Sequence, residues 1–241
     1  MYRASIIVSI YNGAKYLEQF LNNALQLSCF NDVEFLLLDA QSIDNTKSII
    51  SRYKMANLRY ELLDKRYSIY DTWNIGIDLA SANNIGNWNV DDRRSIYGLE
   101  KQLTCLEEDE SIDICYGITA WSFNENELFS NNPMTNFYPC YDVTFKTMLH
   151  HNSPHCMPVW KKRIHKDIGY FNGGKYPTAA DYDFWMRCLF NGKIFKRLDY
   201  VVGSYYFNSN GLSTSSNTTN ADESMTIRKK YSTVLKGLIS E

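Results

Sequence analysis

"VEFLLLDAQSIDNT", Val33 to Thr46, sets an apolar run ahead of an aspartate and a polar loop. Val33 to Leu38 is too short for a buried helix, and it lacks the polar alternation of a strand with one wet face. It reads as a strand covered on both sides, as in a parallel sheet. The loop leads into a helix beginning near Asn45, with Ile49 and Ile50 on its buried side. Upstream, "SIIVSI" (Ser5 to Ile10) is a β-branched run stopped by Asn12-Gly13. Tyr16, Leu17, Phe20, Leu21, Ala24 and Leu25 then recur at helical spacing. Downstream, Leu58 to Leu63 reads as a third strand, Tyr70 to Ala82 as a third helix and Ile85 to Val90 as a fourth strand. Strands alternating with helices imply right-handed crossovers and an α/β fold: a doubly wound, mostly parallel sheet with helices on both faces. Ligands of such sheets bind beyond the carboxyl ends of the strands. Asp39, Asp64 and Asp91 all fall at those ends.

The chain has 241 residues, with 25 basic and 27 acidic side chains, so no basic excess suggests nucleic acid as a partner. No apolar run reaches the length of a transmembrane segment, and "MYRASIIVSI" lacks the features of a signal peptide. Cys29, Cys105, Cys115, Cys140, Cys156 and Cys188 show no paired short spacing, which suits reduced thiols rather than a disulfide or zinc scaffold. These features lead us to expect a cytoplasmic protein. The Asn217-Thr218-Thr219 sequon is then coincidental.

Beyond about residue 117, "ITAWSFNENELFSNNPMTNFYPCYDV" reads as long loops over the sheet. A helix is expected from Lys161 to Ile168, ended by Gly169, and another from Asp181 to Phe190, ended by Asn191-Gly192. "IFKRLDYVVGSYYF" looks like a strand pair or one bent strand. We divide the chain into a domain of residues 1–210 and, over 211–241, a polar linker with a helix from Glu223 to Leu238.

The first turn, "SIYNGAKY", has one glycine, and no P-loop lysine follows. Any phosphates must therefore be neutralised otherwise, and a Mg2+ or Mn2+ ion held by a strand-end carboxylate is the natural substitute. "NWNVDDRR" (Asn87 to Arg94) offers adjacent Asp91 and Asp92. The plainer reading makes Asp92 a helix cap near Ser95 and pairs Asp91 with Arg93 or Arg94.

Four ordered segments bear on that choice: "SIIVSIYNGAKYLEQFL", "VEFLLLDAQSIDNTKSII", "IYDTWNIGIDLASANNIGNWNVDD" and "AADYDFWMR". Together they resemble the family 2 glycosyltransferases with a GT-A fold, over roughly Ser5 to Phe207. The resemblance implies that Asp39 recognises the donor base while the Ile10-Tyr11-Asn12 turn brackets it. It also places Asp64 on the nucleotide side, with Lys65 or Arg66 available to the pyrophosphate. The family's Asp-x-Asp motif falls on Asn89-Val90-Asp91, making Asp91 the ligand of Mn2+ or Mg2+ and leaving Asp92 to support it or to contact the donor sugar. Asp181 occupies the place of the general base. Two positions depart from the pattern: Asn89 brings no charge where the first acid stands, and Ser9-Ile10 replaces Pro-Thr.

Other features read more plainly. Asp44 is a cap near a helix start, and Trp185 is core. "HHNSPHC" (His150 to Cys156) lacks a second pair of zinc ligands, and His155 suits the acceptor side. Tyr206 and Asn208 stand where some members of the family carry a late histidine near the metal. The resemblance implies an inverting transfer of sugar from a nucleotide diphosphate donor, a UDP-sugar above others. The partner is a saccharide acceptor, free or lipid-linked, as in bacterial surface polysaccharide synthesis at the inner face of the membrane. Asn89 and Ser9 motivate the alternative, a non-catalytic GT-A domain that binds glycan or a partner transferase. A nucleotidyltransferase would want a Gly-rich, basic first loop, which "SIYNGAKY" does not supply.

Overall fold

The structure, a computed structural model, describes residues 1–239. The first half alternates as the patterns require: β1 (Ala4–Ile10), α1 (Ala14–Leu25), β2 (Val33–Asp39), α2 (Thr46–Ile50), β3 (Leu58–Leu62), α3 (Ile69–Leu79) and β4 (Asn84–Asn87). There follow β5 (Arg93–Arg94), α4 (Gly98–Glu108), β6 (Ile114–Ser122), α5 (Phe145–Met148), β7 (Val159–Lys161), α6 (His165–Ile168), α7 (Ala180–Phe190), β8 (Phe195–Tyr206) and α8 (Asn220–Ile239). They build an eight-stranded sheet in the order β3-β2-β1-β4-β7-β6-β8-β5. β1 pairs parallel with β2 and β4, β2 with β3, and β6 with β8. β7 runs antiparallel to β4 and β6, and β5 to β8.

Side-chain alternation builds two cores. Ile7, Leu36 and Leu38 face a layer that includes Trp73, Ile77 and Trp185. Their neighbours Ile6, Val8, Phe35 and Leu37 face Leu17 and Phe20 of α1 and Leu99 and Leu103 of α4. Each such side chain, buried fully, contributes roughly 1.5–3 kcal/mol. Both faces are dry, which is why β2 reads as continuously apolar. Gly76 lets α3 lie against β1, since a Cβ there would come within 2.5 Å of Ile7 Cγ2.

Four expectations are corrected. β4 ends at Asn87, not Val90: the Trp88 amide still donates to the Ile7 carbonyl (3.0 Å), after which the Asp92 amide closes a turn on Asn89 (3.2 Å). Ile118 to Ser122 is not loop but the second half of β6, held against β8 across two register shifts. Val159–Lys161 is a strand, so helix begins only beyond Lys161. Arg93-Arg94 likewise forms a strand, and α4 starts at Gly98, so Asp92 caps no helix. The "IFKRLDYVVGSYYF" segment is one long bent strand. After it, residues 207–219 run as turns, and α8 returns Ile227 and Tyr231 to the core.

Candidate active site

The loops that leave β1 and β2 are knitted together at their carboxyl ends. The Asn12 amide donates to Ser42 Oγ (2.8 Å), the Ile43 amide to Asn12 Oδ1 (2.9 Å), and the Gly13 amide to Thr46 Oγ1 (3.0 Å). Asn12 takes φ +51°, a left-handed conformation that asparagine tolerates better than most residues. Asp44 serves two helix starts without standing at the cap position of either: its carboxylate accepts from the first amides of α2 and α1, Thr46 and Ala14, both at 3.0 Å.

The β1 loop, held in place by the β2 loop behind it, forms one wall of a cavity of about 530 Å³. Tyr11 and Asn12 line it from β1, and Asn89 and Asp91 from the turn after β4. Tyr206 ends β8 and Asn208 follows it, and Asp181 comes from the first turn of α7. Five expected site residues do not line it: Ile10, Asp39, Asp64, Arg66 and Asp92. Ile10 is core. Asp39 is only 1 % exposed, and its carboxylate already accepts from the Ser42 amide (2.8 Å) and the Tyr60 hydroxyl (2.9 Å). Asp64 is exposed and accepts from Tyr67 (2.9 Å), while the Arg66 guanidinium stacks 4.1 Å over the Tyr11 ring.

The adjacent carboxylates part company. Asp92 turns inward, 1 % exposed, and accepts from the Tyr206 amide (3.0 Å) and Asn89 Nδ2 (3.2 Å). Asp91 lines the cavity. Burial pushes both carboxyls up, Asp92 well above the usual range, with the Asp91 charge as its second cause. A hydrogen bond from the Asn208 side chain works the other way on Asp91. Neither arginine forms an ion pair with them, although the Arg93 charge draws both carboxyls down in part. Arg93 donates to the carbonyls of Val90 (2.9 Å) and Asp92 (2.7 Å) and to Asn126 Oδ1 (2.8 Å). Arg94, fully buried and held down to about 10 by desolvation, serves Gln102 Oε1 (2.9 Å) and the Asn87 and Met157 carbonyls. A carboxylate pair this buried, with no ion-pair partner among the described residues, is chemically suited to a hard cation on the cavity side. No group of three or more His, Cys, Asp or Glu stands ready among the described residues. The available donor set is therefore one carboxylate and neighbouring amide oxygens, which suits Mg2+ or Mn2+ completed by substrate phosphate better than a closed protein cage.

Across the cavity, Asp181 is half-buried and does not act as the cap of α7. The cap position is Ala179, and Glu223 takes the amides of Thr178 (2.9 Å) and Ala179 (3.0 Å). Instead Asp181 Oδ1 accepts from the Tyr70 hydroxyl and Oδ2 from Asn152 Nδ2, both at 2.8 Å. Asp183 is buried away in ion pairs with Arg187 (2.8 Å) and Lys230 (3.1 Å). Trp185 is 2 % exposed and belongs to the core while touching the cavity. His155 does line the cavity, stacked on Tyr138 (4.5 Å) with its Nδ1 buried and unpartnered. Burial holds its ring below the usual imidazole range, against the opposing pull of Asp181. Tyr70, Asn152, Asn87 and Tyr205 also line the cavity and were missed. For Tyr70 the signal was present: it opens the Tyr-Asp segment that carries part of the resemblance.

Comparison with known proteins agrees with this architecture. The model of glycosyl transferase family 2 matches residues 5–174, well over half of the chain, and the chain belongs to that family. A PGL/p-HBAD biosynthesis glycosyltransferase of Mycobacterium bovis is 27% identical over 215 residues, covering 87% of this chain and 78% of that protein. Among solved structures, S. aureus TarS 1-349 in complex with UDP-GlcNAc is similar with a TM-score of 0.75 and 18% identity, over 96% of this chain and 66% of that one. Its complex with UDP gives 0.72 and 19%, over 96% and 65%. The mannosyltransferase PcManGT from Pyrobaculum calidifontis, in complex with GDP-Man and Mn2+, gives 0.65 and 16%, over 87% and 58%. This chain thus spans less than two thirds of the length of these solved chains. At such identities the likeness shows the fold, which is GT-A.

Proposed function

We propose that the chain transfers a sugar from a UDP-sugar to a saccharide acceptor with inversion at the anomeric carbon. The observation that carries this is one cavity lined by the β1 turn at Tyr11-Asn12, by Asp91 after β4 and by Asp181 on α7. The first is suited to the nucleotide, the second to the diphosphate and the third to the acceptor hydroxyl. Asp39, Asp64 and Arg66, behind and beside the β1 turn, complete the nucleotide side. Ile10 backs the turn, while Asn89 and Asp92 hold each other and brace Asp91. In the reaction the acceptor oxygen attacks the anomeric carbon as the carbon–oxygen bond to the diphosphate breaks. UDP leaves with the bonding electron pair, and the hydroxyl proton passes to the Asp181 carboxylate. One displacement from the opposite side inverts the configuration.

Asp91, with Asn208 beside it, would hold Mn2+ or Mg2+, which when bound neutralises charge on the leaving diphosphate. UDP as the nucleotide is supported by the UDP and UDP-GlcNAc complexes of TarS, and a divalent metal by the Mn2+ in PcManGT. No described helix is long and apolar enough to cross a membrane. We place the work at the cytoplasmic face of a bacterial membrane, on a growing surface glycan, within a transferase domain of residues 1–210 to which 211–241 is appended. The test is a panel of UDP-, GDP- and dTDP-sugars with Mn2+, scored by thermal shift and by slow donor hydrolysis. A UDP-sugar should raise the melting temperature and be hydrolysed. Asp181→Asn should keep the shift and lose at least about 10²-fold in turnover. Response to a GDP-sugar alone would replace the donor, and silence toward every donor would favour a domain that only binds glycan.

A further inference from the structure

We propose that Tyr70 and Asn152 are positioning residues that fix the Asp181 carboxylate in the orientation from which it takes the acceptor proton. The inference rests on the reading of Asp181 as the base. Each carboxylate oxygen is claimed by one donor, from segments far apart in sequence: Tyr70 at the start of α3 and Asn152 in the loop after α5. Rotation of the carboxylate would break both bonds together.

The Tyr70 end is itself locked. Its ring meets Trp73 edge-on at 5.2 Å and stacks on Phe171 at 6.1 Å. Phe171 is pinned by Asn74, which donates Nδ2 to its carbonyl (2.9 Å) and accepts from its amide (3.0 Å). Gly173 lets the following loop close over this contact, since a Cβ there would stand 2.9 Å from Tyr70 Cβ. Residues Tyr70, Asn74 and Gly76 of one helix therefore hold the base, the loop before it and the sheet. That gives a physical reason for their spacing. The Asn152 end is unusual in another way: its Oδ1 is buried without a partner while its Nδ2 serves Asp181. Turning the amide over would set oxygen against carboxylate, so the demand of Asp181 fixes it.

Two donors, one on each oxygen, aim the carboxylate. Aim matters here, because a misplaced group costs up to about 10²-fold per ångström. The other titratable groups that sense the Asp181 charge are Tyr138 and His155, and Arg228 lines the same cavity. All three stay in place in the variants below.

The experiment follows the Asp181 carboxyl by 13C NMR in aspartate-labelled protein, with its signal assigned by Asp181→Asn, and measures UDP-GlcNAc hydrolysis with Mn2+ in parallel. Folded Tyr70→Phe should displace the Asp181 carboxyl signal at constant pH, since one of its two hydrogen bonds is gone. Its kcat should fall roughly tenfold with the KM for UDP-GlcNAc unchanged. Asn152→Ala should behave alike and carries the test if Tyr70→Phe does not fold. An unmoved carboxyl signal or a wild-type kcat in a folded variant overturns the proposal. Wild-type hydrolysis by Asp181→Asn instead overturns the base assignment beneath it, while a displaced carboxyl signal would still report the two hydrogen bonds.

Discussion

Replacing Asp91 by asparagine tests the cation side of the site with two readouts of opposite sign. Asn keeps the size of the side chain and an oxygen for Asn208 but removes the charge. If Asp91 holds the metal, UDP at 100 times its Kd with Mn2+ stabilises the wild type by about 2.7 kcal/mol. At about 2–4 °C per kcal/mol for a chain of this size, the melting temperature rises by roughly 5–10 °C. That rise should vanish in Asp91→Asn. Without metal the variant should melt at the wild-type temperature or above it. Asp91 and Asp92 are neighbours, burial pushes both carboxyls up, the Asp91 charge raises Asp92 further, and no basic side chain forms an ion pair with either among the described residues. Two full charges about 6 Å apart repel by about 2–3 kcal/mol at an effective dielectric near 20. Retaining a proton relieves part of that, so about 1 kcal/mol, or a few degrees, is the expected gain. Differential scanning fluorimetry on chelator-treated protein, with and without Mn2+ and UDP, reads both effects. An undiminished Mn2+-dependent UDP shift in Asp91→Asn would refute the assignment. A metal-free melting temperature several degrees lower would mean that the carboxylate is structural.

Two further outcomes follow from buried groups. If the buried Asp39 carboxylate, which already accepts from the Ser42 amide and the Tyr60 hydroxyl, also accepts from the donor base, Asp39→Ala should weaken metal-free UDP binding by about ten- to a hundredfold in calorimetry, the loss of one charged hydrogen bond of roughly 1.5–3 kcal/mol; unchanged affinity would place the base elsewhere. His165 should make the fold acid-labile. Its Nε2 accepts from Trp160 Nε1 (2.9 Å), its Nδ1 is 2.8 Å from the Gly169 carbonyl, and burial holds it down to about 4 from the ordinary 6.5. The unfolded chain therefore binds this proton more readily. Stability is complete above pH 6.5 and falls as the pH drops towards about 4, by on the order of 3 kcal/mol. Urea melts at a series of pH values should show that slope in wild type and a shallower one in His165→Phe; equal slopes would exclude the histidine as its source.

The parallel half of the sheet was legible because each strand there is buried on both faces and each helix on one, so the two hydrophobic periods stand apart. The antiparallel half was not. β5 is two arginines, and what makes them a strand is pairing with Ser204 and Gly203 over a hundred residues away. The second half of β6 reads as loop because its aromatic residues resemble those of the segment after it. In β8 the register shifts against β6 leave no clean alternation to follow.

The site shows the same boundary at finer grain. Tyr11, Asn12, Asn89 and Asp91 meet in one cavity because strand ends converge there, and a strand end can be found from a hydrophobic run; Asp181 joins them from the first turn of α7. Which of two adjacent acids faces that cavity cannot be found so. "VDDRR" treats Asp91 and Asp92 alike, and the tight turn after β4 separates them. One is sent to the cavity; the other goes inward to the Tyr206 amide on β8. The arginines beside them suggest neutralisation, yet their guanidinium groups satisfy carbonyls of the turn and of neighbouring strands. The inward acid and the arginines are thus the frame that holds Asp91 in place. On the proposed function, a cavity-facing carboxylate without an ion-pair partner among the described residues awaits a cation that arrives with the substrate. That reading gives a physical sense to placing two aspartates together at the buried end of a strand.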